Sequence, residues 1–180
     1  MENTTPFSVI YDMFFEKIVD DMYMELTKED TYKLTEELLN AAMHKFEFPR
    51  FDITDFENTH EEIDSETGEP VAVDGHFNVE LTKEEINILA TYMVVEWLGQ
   101  QLATVENTRM KYSGSDFKFT SQANHMSKIL SLKKDYEREG FHLQRLYKRR
   151  TKDEEGIMRS TFGSIMEESP RGREVQDIWN

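Results

Sequence analysis

Residues 81–112 read LTKEEINILATYMVVEWLGQQLATVENTRMKY, and this stretch decides the fold. Thr82 and Glu85 have the spacing of a capping box, in which the hydroxyl and the carboxylate each bond to a backbone amide at the start of a helix. Apolar residues then recur on nearly every side, which is typical of a helix buried at the centre of a domain. Glu96 interrupts the apolar run, so the segment does not suit a membrane span. The predicted core residues are Ile86, Leu89, Met93, Trp97, Ile129, Leu130 and Tyr136.

Three further segments show helical spacing of apolar residues. The first runs from Pro6 to about Glu25, the second from about Glu29 to Lys45, and the third from about Gln122 to Arg150. Gly140 weakens the third by about 1 kcal/mol relative to Ala and indicates a bend. We therefore predict a mainly α fold, a bundle of about four helices, with the helix from Leu81 at its centre.

The segment from Asp52 to Glu80 has a different composition. It carries ten acidic residues and no Lys or Arg, and Gly68 and Pro70 signal a turn. The short runs Val71-Ala72-Val73 and Phe77-Asn78-Val79 suggest strands on either side of a second turn, at Asp74-Gly75. We expect an acidic β-hairpin or long loop inserted into the bundle.

The segment from Lys128 to Lys152 is basic, with nine Lys or Arg against three acidic residues. Two interpretations remain open. The acidic and basic segments are either two solvated faces or the two complementary sides of a head-to-tail contact between subunits. The basic residues assigned to such a contact are Lys133, Lys134, Arg138, Arg145 and Arg149.

The composition changes again after residue 152, where the helical spacing of apolar residues ends. We therefore divide the chain into a bundle domain, 1–152, with the acidic insertion at 52–80, and an arm, 153–180. The arm contains few apolar residues, broken by glycines and a proline, and it ends near a tryptophan. Because Trp is a favoured interface anchor, we expect the arm to dock onto a partner. The expected anchors are Phe162, Ile165, Ile178 and Trp179.

The sequence contains little that indicates catalysis. There is no Cys, and there is no P-loop, GxSxG or HExxH motif. His60-Glu61-Glu62 is the nearest approach to a metal-ligand cluster, and a divalent ion there would use its carboxylates. The formal net charge of −15 argues against a broad nucleic-acid surface. We expect no enzymatic activity, no cofactor and no metal.

The order of these elements resembles the head-to-tail adaptor proteins, also called neck or connector proteins, of tailed bacteriophages. The resemblance is strongest over Leu81–Arg150, where Trp97 corresponds to the Trp that the family carries near the end of the central helix. The stretch Phe119-Thr120-Ser121-Gln122-Ala123 then opens the next long helix, as is common in that family. The acidic insertion is longer than the family pattern requires, which leaves its role open.

The resemblance implies a virion protein without enzymatic activity that forms a ring of about twelve subunits under the portal. It implies contacts with the portal protein and with the next neck or tail protein, with genomic DNA passing through the channel, no membrane contact, and assembly in the host cytoplasm. The arm would dock into the portal or a neighbour. The acidic residues expected to face the channel or an adjacent ring are Glu57, Glu61, Glu62, Asp64, Glu66, Glu69 and Asp74.

Two other functions stay open. One is a small acidic inhibitor or DNA mimic, whose carboxylates would occupy a basic nucleic-acid-binding partner. The other is a hydrolase with a metal held by carboxylates.

Overall fold

The computed structural model describes residues 4–18, 27–63, 68, 70–111, 119–152 and 158–160. These residues form four helices, and the mainly α class is confirmed. The helices are α1 (Phe7–Lys17), α2 (Lys28–Met43), α3 (Lys83–Lys111) and α4 (Phe119–Lys148).

Helix α3 is the centre of the bundle, because α1, α2 and α4 all pack against it. Its predicted core residues Ile86, Leu89 and Met93 are buried. Trp97 is half-buried and packs against the same core.

The predicted core residues on α4 differ in how deeply they are buried. Ile129 and Tyr136 are partly buried against the core, whereas Leu130 is 41% exposed and its assignment to the core was wrong. Successive residues of a helix point about 100° apart, so Leu130 turns away from α3 when Ile129 faces it. Gly140 does not interrupt the helix. A Cβ there would lie 2.8 Å from Cζ of Tyr92, so the glycine permits a close approach between α3 and α4.

Local capping fixes the starts of the helices. At α3 the predicted capping box is present, with the Thr82 amide 2.7 Å from Glu85 Oε2. At α2 the Thr27 hydroxyl accepts from the Asp30 amide at 3.1 Å. Helix α1 is shorter than predicted, because the extended residue Ile18 ends it.

A small antiparallel sheet lies beside α1. Its strands are β1 (Thr5–Pro6), β2 (Phe56–Glu57) and β5 (His76–Phe77), in the order β1-β5-β2. Pro6 was predicted to begin the first helix, but it belongs to β1 and caps α1 instead. Phe7 donates its amide to the Gly75 carbonyl at 2.7 Å, which ties α1 to this sheet.

The inserted segment forms a separate β-hairpin of β3 (His60–Ile63) and β4 (Pro70–Val73). The predicted strand near 71–73 therefore pairs with β3, not with the strand that follows it. The strand that follows, β5, pairs with β1 and β2 instead. Gly75, just before β5, packs against α1: a Cβ there would lie 2.6 Å from the Phe7 ring.

A third pair of strands follows α4. Strand β6 (Arg150–Lys152) pairs with β7 (Met158–Ser160) in antiparallel register. This hairpin crosses the expected boundary at residue 153, since β6 lies in the expected bundle domain and β7 in the expected arm.

Candidate interaction surfaces

A carboxylate is fully buried at the start of α3. Glu85 is 0% exposed, and its Oε2 accepts from the amide and the hydroxyl of Thr82, each at 2.7 Å. Its Oε1 accepts from the hydroxyl of Tyr147 on α4. Burial and then the bond to Glu85 raise the pKa of Tyr147, so the phenol stays protonated and donates. Both carboxylate oxygens are engaged, so Glu85 joins α3 to α4.

The loop after α2 closes over the same cluster. The Arg50 amide donates to the Tyr147 hydroxyl at 2.9 Å, and the guanidinium lies 3.9 Å from the centre of the Tyr147 ring. Gln144 donates to the Tyr92 hydroxyl at 2.6 Å and accepts from the Glu47 amide at 2.9 Å. The sequence indicated the capping box but none of these contacts, because no local pattern marks partners 97 positions apart. The cluster stabilises the bundle.

The β3–β4 hairpin, which we call the acidic hairpin, presents an exposed charged and apolar surface. All four residues of β3 are exposed, including the predicted surface acids Glu61 and Glu62, and Glu57 on β2 is exposed as well. Two apolar side chains accompany them: Ile63 is 77% exposed and Val71 is 49% exposed. The hairpin therefore has the mixed acidic and apolar character of a contact surface.

Of the four remaining acids of the predicted surface, only Asp74 lies among the described residues. Asp74 is half-buried at the base of the hairpin, and its Oδ2 accepts from the Ser8 amide at 3.1 Å. It therefore caps α1, where a negative charge complements the helix dipole. Asp64, Glu66 and Glu69 lie outside the described residues.

Helix α4 carries the second charged surface. Five of its residues recur at spacings of four, four, three and four positions, which places them on one side of a helix. They are Leu130, Lys134, Arg138, Phe141 and Arg145. All five are exposed, with Arg138 at 79% of its side chain and Phe141 at 55%. We call this set the α4 stripe. It combines three of the predicted basic contact residues with two apolar side chains.

The other two predicted basic residues lie elsewhere. The Lys133 ammonium donates to Glu137 Oε1 at 2.6 Å, and a Cβ added to Gly99 on α3 would lie 3.5 Å from Lys133 Cε. Lys133 is thus on the side of α4 that faces α3. Arg149 is exposed just beyond the end of α4.

In the His60-Glu61-Glu62 stretch, the imidazole of His60 contacts the Glu62 carboxylate. His60 Nε2 lies 3.2 Å from Glu62 Oε1, and the bond from His60 to the Asn58 carbonyl, with that to Glu62, raises the pKa of His60. Within the described part of the chain, no three His, Asp or Glu side chains are grouped as metal ligands.

No helix among the described residues is both long and apolar enough to cross a bilayer. The expected docking residues Phe162, Ile165, Ile178 and Trp179 lie outside the described residues.

Comparison with protein-family models, with curated proteins and with solved structures finds no match for this chain.

Proposed function

We propose that this chain is a structural head-to-tail adaptor of a tailed bacteriophage, which assembles below the portal as a ring of about twelve copies. The observation that carries the proposal is the presence of two different exposed surfaces, the acidic hairpin and the basic α4 stripe. A ring built from head-to-tail contacts needs two unlike surfaces on each subunit, and opposite charges give such a contact its register.

The net charge of the whole chain favours a protein that lets DNA pass through its channel, and it disfavours a protein that binds DNA. A formal net charge of −15 repels phosphate, and a channel that repels phosphate lets a duplex pass without being held. In the assembled ring the basic stripe is covered by neighbours, and acidic surface such as Glu57 remains to face the channel or the adjacent ring.

The arm supplies the attachment in this proposal. Residues 161–180 contain the four expected anchors, and bulky apolar side chains spaced along a polar segment suit capture by a groove on a partner. The ring would use them to bind the portal protein or a neighbouring subunit, and it would offer its other side to the next neck or tail protein. The mature location is the virion neck, after assembly in the host cytoplasm.

The direct test is electron microscopy of the purified protein with and without the portal protein of the same virus. We expect an added ring of density on the portal, coaxial with its channel. A variant that ends after Ser160 keeps the β6–β7 hairpin and removes the four anchors. It should show an unchanged melting curve and a loss of portal binding.

Either of two results would contradict this proposal. If the intact chain leaves the portal bare and captures a basic nucleic-acid-binding protein as a monomer or dimer, it is an acidic inhibitor. If the variant ending after Ser160 binds the portal as well as the intact chain does, the arm is not the docking element.

A further inference from the structure

The two faces of the acidic hairpin are not equivalent. Adjacent residues of a strand point to opposite faces, so Glu61 and Ile63 share one face while His60 and Glu62 share the other. Glu62 is paired with His60, and Val73, opposite His60 in the register, is half-buried. The face of Glu61 and Ile63 is the more open one, since Ile63 is 77% exposed, whereas Val71, which lies opposite Glu62 on the other face, is 49% exposed.

The exposed part of this ribbon is a surface that a partner can cover. It extends the β2–β5 pairing, Phe56↔Phe77 and Glu57↔His76, in the same register by four further pairs, from His60↔Val73 to Ile63↔Pro70. An open strand edge invites pairing with another chain. An acidic residue beside a large exposed apolar residue indicates a partner surface that is basic and apolar.

The α4 stripe has that chemistry and a matching length. Leu130 and Phe141 are 41% and 55% exposed, and Lys134, Arg138 and Arg145 lie on the same side of the helix. Four strand residues extend about 10 Å, which equals about two helical turns, the distance from Arg138 to Arg145. Phe141 lies between these two arginines and is placed to contact an apolar side chain such as Ile63.

The described residues of both surfaces are exposed, so each surface is available to another copy. We propose that the Glu61 and Ile63 face of the acidic hairpin of one copy docks on the α4 stripe of the next, over Arg138, Phe141 and Arg145. This inference rests on the ring proposed above and identifies its lateral contact. The contact is heterologous, so it repeats around a closed ring and leaves no partner surface unused.

Charge reversal tests the contact. Glu61→Lys and Glu62→Lys change the net charge equally but act on opposite faces of β3. We expect Glu61→Lys to weaken assembly by about tenfold or more, because like charges would then meet across the contact, and Glu62→Lys to change it far less. On the helix, Arg138→Glu should weaken assembly similarly. Lys128→Glu, about 15 Å away along α4 and off the stripe, is the matched control.

Mixing the two damaging variants gives the decisive result. The Glu61→Lys variant keeps an intact α4 stripe, and the Arg138→Glu variant keeps an intact acidic hairpin. In a mixture, the native hairpin of one variant can bind the native stripe of the other. The two altered surfaces can also bind each other, because the lysine at 61 then meets the glutamate at 138. Mass photometry should show small species for each variant alone and large species for the mixture. The proposal is overturned if the mixture stays small, if Glu61→Lys and Glu62→Lys behave alike, or if the wild-type protein never exceeds a monomer.

These outcomes are distinct from a failure of the proposed function. If wild-type rings form and bind the portal but the charge variants assemble normally, the lateral contact is wrong and the adaptor function stands. If the variants behave as expected but the assembly does not bind the portal, the contact stands and the adaptor function fails.

Discussion

Glu85 joins three separate parts of the chain through one buried carboxylate. It completes the cap of α3 through Thr82, accepts from Tyr147 on α4, and through Tyr147 contacts the loop that holds Arg50. A buried carboxylate is tolerated only where its hydrogen bonds are made, so the surrounding donors determine how these segments pack.

Replacing Tyr147 by Phe removes one of the donors while preserving the ring. The Glu85 carboxylate and the Arg50 amide would each lose a partner, and we expect a loss of about 1–3 kcal/mol in the free energy of unfolding. Urea denaturation measures this loss of stability. Tyr136→Phe is the control, since the Tyr136 hydroxyl reaches the Lys17 carbonyl only at 3.4 Å. Equal stability of the two variants would show that the buried carboxylate does not depend on Tyr147.

At the scale of elements, the close approach of α3 and α4 at Tyr92 depends on one glycine. Gly140 is buried against the Tyr92 ring, and the Tyr92 hydroxyl accepts from Gln144 one helical turn further along α4. The two helices therefore approach each other closely where the glycine lies, and the neighbouring hydrogen bond fixes the tyrosine. The lack of a side chain matters more here than the helix-weakening effect of glycine.

Gly140→Ala and Gly99→Ala form a matched pair that tests this interpretation. Alanine favours a helix by about 1 kcal/mol over glycine. At Gly99 the added Cβ meets only Lys133 Cε at 3.5 Å, so we expect a more stable protein. At Gly140 the Cβ would lie 2.8 Å from Tyr92 Cζ, and we expect a net loss of about 1–3 kcal/mol. Thermal melting of both variants measures the two changes in stability. A higher melting temperature for Gly140→Ala would mean that the helices are not in close contact at this position.

The helices were predictable because their signals are local. Apolar spacing and the Thr82–Glu85 capping box placed α3 close to its actual bounds, and the same spacing identified α2 and α4. Strand pairing was not predictable, because period-two patterns do not name a partner. The strand His60–Ile63 is a clear case: its acidic residues lack the β-branched character that marks strands, so only its partner reveals it.

The candidate surfaces were partly predictable for the same reason. Charge counts located the acidic and basic segments, yet they did not separate the exposed Arg138 from Lys133, which faces α3, or the exposed Glu61 from Asp74, which caps α1. Those differences depend on which side of an element faces the bundle. They determine which residues are exposed to another molecule, as Arg138 is although its guanidinium also pairs with Asp135 at 3.3 Å.

At the scale of the whole molecule, the proposal concerns how copies of the chain meet. One subunit carries a formal net charge of −15, which would keep copies apart unless a specific contact draws them together. A basic stripe with exposed Leu130 and Phe141 supplies both attraction and apolar area. The contact should therefore weaken with salt, since it joins exposed charges.

Sedimentation velocity of the wild-type protein over a range of concentrations and salt tests this claim most directly. Twelve copies of a 21.3 kDa chain have a mass of about 256 kDa, and we expect a closed species near that mass at high protein concentration and low salt. Raising the salt should return it to monomers. A single monomeric or dimeric species at every concentration and salt would contradict the account, because the hairpin and the stripe would then have no partner in another copy.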